Sequence, residues 1–145
     1  MRFMMLLKAD KRSEAGELPS ARDLEVMAKY NEQLMKAGVL LDGGGLQSSS
    51  KGTKVTFVDG RVQVTDGPFA ETKELIAGYW MIQVTSKEEA IEWAKRVPFQ
   101  HLPGSGRAPE IEVRQMFENT DFPDIPPAIV EMEESFRARR AGKEK

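Results

Sequence analysis

The order of apolar patterns along the chain predicts an α+β fold, with two helices set among strands of one sheet. Three observations carry this. RFMMLLK (2–8) is apolar at both parities, as a strand covered on both faces reads. Segments starting at Ser20 and Ser86 each open with a capping residue and continue at helical spacing. VTFV (55–58) and RVQV (61–64) flank Asp59-Gly60, the strongest short-range signal for a two-stranded hairpin.

Taken in order, the first strand alternates Phe3, Met5 and Leu7 with Met4 and Leu6, and a polar connection follows it. Ser20 with Asp23 starts a helix whose predicted apolar face is Leu24, Met27, Ala28, Asn31, Leu34 and Met35, with Gly38 as its stop. VLLDGGGL (39–46) reads as a short strand entering a glycine-rich bend, and the hairpin comes next. AGYWMIQVT (77–85) alternates like a strand. Ser86 and Glu89 form a capping box for a helix to about Val97 that buries Ala90, Ile91 and Ala94, and Pro98 ends it. A Pro/Gly loop leads to EIEVRQMF (110–117), with Ile111, Val113, Gln115 and Phe117 on one side. Pro126-Pro127 then opens an amphipathic tail helix with Ile129, Met132 and Phe136 at i, i+3, i+7.

This order is that of a split βαβ, a ferredoxin-like βαββ(β)αβ sandwich with an extra C-terminal helix. One domain is expected over 1–120, with a helix and tail over 121–145. Both helices would cover one sheet face, leaving the other open and apolar. A second copy is the economical cover, giving a homodimer, a dimeric α/β barrel with a cavity between its sheets.

Composition narrows the partners. A formal charge of −2 supplies no global field for nucleic acid or an anionic membrane. The absence of Cys excludes disulfides and thiolate nucleophiles and fits a reducing, cytoplasmic setting. The N-terminal apolar run is broken by Lys8 and Asp10, too soon for a signal-peptide core or a membrane span.

Few residues offer chemistry. Gly43-Gly44-Gly45 is followed by SSSKGTK rather than a helix N-terminus, so a bend or bulge is expected and not a phosphate cradle. His101 is the only histidine, so no transition-metal site is expected, and no cofactor. Asn31 interrupts the apolar face of the first helix, either as a bonded buried amide or as a ligand contact, and the Tyr30 hydroxyl lies at that face's border. TDGPFAETKE (65–74) stands out most. Asp66 before Gly67 suits an Asx-type turn, and Pro68 restricts Gly67, together aiming Phe69. Glu71 and Lys73 follow. They are either solvated charges on a rigid corner or, with Asp66, groups lining a pocket that takes a small apolar ligand. Arg114 of the last strand completes the candidate set.

DGPF (66–69), AETKE (70–74), GYW (78–80), EWAKR with its following Pro (92–98) and EIEVR (110–114) occur in one order over residues 1–118. In this the chain resembles the DGPF-domain branch of the YCII-related proteins. The resemblance implies a ferredoxin-like dimeric barrel and, through frequent neighbourhood with sigma factors, an association with a sigma-factor-type regulator. YCII proteins proper are expected to carry a His–Asp pair, at positions that here are Met27 and Val97. Neither transfers a proton. The expectation is therefore a binding or regulatory module, set against a small barrel enzyme, isomerase or oxygenase, acting on an apolar ring through Asp66, Glu71 or Tyr30.

Overall fold

In the computed structural model, residues 1–71, 74–101 and 108–143 are described. The elements are β1 (Arg2–Lys8), α1 (Lys11–Glu14), α2 (Ala21–Lys36), β2 (Leu40–Gly45), β3 (Thr53–Val58), β4 (Arg61–Asp66), β5 (Ile76–Gln83), α3 (Lys87–Lys95), β6 (Ile111–Gln115) and α4 (Pro127–Lys143). The main sheet is antiparallel, in the order β2-β5-β1-β6, which is the expected ferredoxin-like arrangement. Among the described residues, β3 and β4 pair only with each other, as a separate two-stranded sheet.

Register decides what is buried. Phe3 and Met5 of β1 lie opposite Ile82 and Trp80 on one side, and Met5 lies opposite Val113 on the other. These residues share the face covered by α2 and α3, which contribute Tyr30, Leu34, Ala90 and Trp93 to the core. Phe3, Met5, Leu34 and Ile82 are the largest fully buried side chains, each stabilising by roughly 1.5–3 kcal/mol. The two helices are tied together by the Tyr30 hydroxyl, which donates to the Trp93 carbonyl at 2.8 Å.

α2 has the predicted start and stop. Ser20 and Asp23 make a reciprocal capping box, and Gly38 follows at φ 71°. Its inward face differs from the predicted one: Met27, Tyr30 and Leu34 turn to the core, while Leu24 and Met35 are exposed. The helix is rotated because Tyr30 fills the space beside Trp80 edge-on, ring centroids 5.6 Å apart. In α3, Trp93 joins Ala90 as a buried residue, and Ile91 is half-buried. Phe117 lies beyond β6 and is exposed, stacked on Phe122 at 5.1 Å.

The polar connection before α2 holds α1, capped reciprocally by Asp10 and Ser13. The opposite face of the sheet carries Met4, Leu6, Tyr79 and Met81, all half-buried. Asp42 lies on it opposite Met81, and Arg140 of α4 reaches that carboxylate at 2.9 Å. Among the described residues, no helix is long and apolar enough to cross a membrane.

Candidate functional site

The glycine run is strand, not bend. Gly43, Gly44 and Gly45 pair with Trp80, Tyr79 and Gly78 of β5, after a bulge between Leu40 and Asp42. Their missing side chains leave a cleft of about 220 Å³ beneath α2. Its walls include Met27, Leu7, Leu40, Tyr79 and Trp80, and Asn31 projects from the helix. A Cβ on Gly43 would come within 3.2 Å of the Tyr79 carbonyl oxygen, whereas one on Gly45 would meet nothing nearer than 3.9 Å. Gly43 therefore serves strand packing, and Gly45 keeps the cleft open.

Among the described residues that line this cleft, none is charged. Its one side-chain amide, on Asn31, is oriented by Trp80, whose indole Nε1–H donates to Asn31 Oδ1 at 2.8 Å. An indole can only donate, so the atom facing it must be the amide oxygen, and the NH₂ group is left with two donors to offer. Asn31 is thus half-buried and bonded to a side chain rather than to the backbone group expected, and the residue also lines the cleft. The buried Tyr30 hydroxyl is already bonded to Trp93, and burial raises its pKa above the ordinary phenol value, against the opposing charge of Arg96. It neither lines the cleft nor ionises readily.

A second, polar groove of about 640 Å³ runs between the 10–23 segment and residues 45–51. It shares Leu7, Gly45 and Ala77 with the first cleft, so the two form one trough. Arg12 and Glu17, paired through two hydrogen bonds of 2.9 and 2.6 Å, line its far end.

The DGPF corner is built otherwise. The Gly67-Pro68 peptide bond is cis. A Cβ on Gly67 would fall 1.8 Å from the Ser49 carbonyl oxygen, so only glycine fits there. Gly67 N–H donates to the Gly52 carbonyl at 2.9 Å, and Phe69 N–H donates to Ser49 Oγ at 3.0 Å. The Ser49 hydroxyl and N–H both donate to the Glu14 carboxylate. α1 thus holds Ser49, and Ser49 holds the corner. Asp66 accepts from Thr53 Oγ1 at 3.0 Å, and Lys54 Nζ lies 4.2 Å above the Phe69 ring. Asp66 and Glu71 are exposed, and Lys73 lies outside the described residues. Neither cleft is lined by Asp66, Gly67, Pro68, Phe69 or Glu71.

Arg114 sits opposite Met4 on the other sheet face, exposed, 3.7 Å from Glu112. The sequence-derived candidates therefore occupy three places: Tyr30 and Asn31 at α2, the DGPF residues at the hairpin base, and Arg114 beyond the sheet. Sequence reasoning passed over Trp80, Gly45, Ser49 and Glu14. A glycine run inside a strand pattern is a signal of close approach and pointed to the cleft. Nothing in the local sequence pointed to the Glu14–Ser49 contact, which spans 35 positions. Met27 is packed at the cleft wall and Val97 is buried in the core, both apolar positions with no proton to move. Among the described residues, no group of three His, Asp or Glu side chains could hold a metal ion.

The profile of the YCII-related domain matches residues 1–116. The chain belongs to the YCII-related domain family. It is also similar to an uncharacterised protein of Rhizobium meliloti (strain 1021), 37% identical over 75 residues, which is 51% of this chain and 57% of that protein. The alignment thus spans little more than half of either. The YCII-related match ends before α4 begins.

Proposed function

We propose that this YCII-related domain is a small-molecule-binding or regulatory module of the DGPF branch. The cleft under α2 takes an uncharged, largely apolar ring, and a carbonyl-type acceptor on that ring bonds to the Asn31 amide. One observation carries the reading: an NH₂ group, locked by Trp80, faces a cleft that has no charged lining. A charged ligand group there would lose its hydration with nothing to replace it, whereas a flat apolar ring would lie between glycine backbone and the Trp80 and Met27 side chains. The DGPF corner is a brace that fixes the hairpin base, and its charges take no part in binding.

Coumarin, a neutral bicyclic lactone, serves as a probe. Titrating it should shift the NMR signals of the Trp80 indole N–H and the Asn31 amide. Gly45→Val, which fills the open position, should abolish those shifts without unfolding the chain. Asn31→Ala should weaken binding about tenfold, the worth of one hydrogen bond. Shifts confined to Asp66, Phe69 and Glu71 would place binding at the corner and refute the reading. So would coumarin and related neutral aromatic carbonyl compounds leaving both regions unmoved.

A further inference from the structure

The wall of the polar groove formed by residues 45–51 holds donors that the fold does not use. The Ser48 and Ser50 hydroxyls bond to each other at 2.5 Å, so one proton makes that contact and the other hydroxyl proton is left over. The Gln47 amide and the Lys51 ammonium, on the same wall, have no hydrogen-bond or ion-pair partner among the described residues. The facing wall differs. Asp10 accepts from the Ser13 N–H, Asp23 from the Ser20 N–H, and Glu17 is paired with Arg12. Arg12 belongs to that wall: its hydrogen bond with Glu17, and then the charges of Glu17, Asp23 and Asp10, raise its pKa against some desolvation. The carboxylates of the groove are thus engaged on their own side, and Lys51 is the cation left for a ligand. Asn31 lines the apolar part of the trough and Lys51 the polar part, and the two parts meet at Leu7, Gly45 and Ala77.

We infer that the ligand of this trough is a ring bearing an arm that ends in a carboxylate. The inference rests on the cleft reading above and extends it. The ring carbonyl bonds to Asn31, the arm passes over Gly45, and the carboxylate accepts from the Lys51 ammonium and the Ser48–Ser50 pair. Standing in the open groove rather than in the cleft, the carboxylate keeps part of its water. Charge settles the class of anion. One unpaired ammonium balances one carboxylate, whereas a phosphate dianion would meet the field of Asp10, Glu17 and Asp23 with a single cation to offset it. An arm ending in an amine would bring donors to a wall of donors.

Titrations followed by the NMR signals of the Trp80 indole and the Asn31 amide test it. The probes are coumarin, coumarinylacetic, -propionic and -butyric acids, and the methyl esters of those acids. At the arm length that spans the trough, the acid should bind about fivefold tighter than its ester, the worth of one solvent-exposed ion pair. It should also shift the Ser48, Ser50 and Lys51 amides, and its advantage should shrink at high salt. Lys51→Met should bring acid and ester to equal affinity and leave that of coumarin unchanged. Lys54→Met, which removes a lysine over the Phe69 ring and outside the trough, should leave the advantage intact. If coumarin moves the Trp80 and Asn31 signals while no acid outbinds its ester, the inference falls and the cleft reading stands. If no compound moves those signals, the cleft reading falls and takes the inference with it. An acid advantage that survives Lys51→Met, or a phosphate-ended arm that binds tighter than the carboxylate, would also overturn the inference.

Discussion

Phe3 and Phe57 both sit within antiparallel ladders, each opposite a β-branched residue, Ile82 for one and Val62 for the other. Phe3 is 1% exposed and Phe57 is 78% exposed. Their strands alternate alike, so the difference lies in what stands above them. α2 and α3 cover the face that carries Phe3. Among the described residues, none forms a layer over the hairpin's corresponding face, Val55, Phe57, Val62 and Val64. A strand pattern specifies pairing and sidedness, whereas burial needs a second layer. An isolated hairpin is marginal in water, and this one is held mainly at its base by Ser49, Gly52 and Thr53.

That contrast can be broken or sharpened by substitution. The largest expected effect is in the covered sheet: Phe3→Ala or Ile82→Ala should destabilise by about 3–5 kcal/mol in chemical denaturation, as cavity formation demands. Gly67→Ala comes next, costing about 3 kcal/mol, because its Cβ would occupy the Ser49 carbonyl's place. Hydrogen exchange should show the hairpin loosening while the β1 amides stay protected. Ser49→Ala removes the acceptor of the Phe69 N–H and one of two donors to the Glu14 carboxylate, the backbone N–H remaining, and should cost about 1–2 kcal/mol. Phe57→Ser should change stability by less than about 0.5 kcal/mol, since it removes no buried contact. A cost for Phe57→Ser near that of Phe3→Ala would mean that a second layer covers the hairpin in solution.

A pH effect separates α4 from both sheets. The Asp42 carboxyl is held below the usual carboxylate value, first by the Gly43 N–H and then by Arg140, with Tyr79 contributing. A depressed folded-state pKa stabilises above the unfolded value and is lost as pH falls through the folded one. Amide exchange in α4 should therefore quicken on acidification below the ordinary carboxylate range, and Asp42→Asn should remove that step. Glu118 is depressed likewise, first by its hydrogen bond from Arg2 and also by the charge of Arg137 of α4, so Glu118→Gln should remove an α4 step that survives in Asp42→Asn.

Much of the fold was legible residue by residue. Ser20, Gly38, Asp59-Gly60 and Ser86 mark local events, and local hydrogen bonds and backbone preferences place them wherever they occur. The site was legible only in part. Asn31 stood out because a polar residue on an apolar face is a local anomaly. Trp80 did not, because its indole acts on a residue 49 positions away. The DGPF segment drew notice for its composition, and the structure shows its Gly-Pro core serving a corner.

The sequence by itself determined the order of the main strands and helices, the ends of α2 and α3 and the sidedness of β1 and β5, because those depend on periodicity and on caps within a few residues; α1 and the inward face of α2 were not among them. Tertiary structure alone decided which faces were covered. It rotated α2 onto Met27, Tyr30 and Leu34, opened a cleft where three glycines meet β5, and left the hairpin and α4 with bare apolar stripes. These outcomes depend on which distant side chains fill a shared volume, and no window along the chain contains both partners.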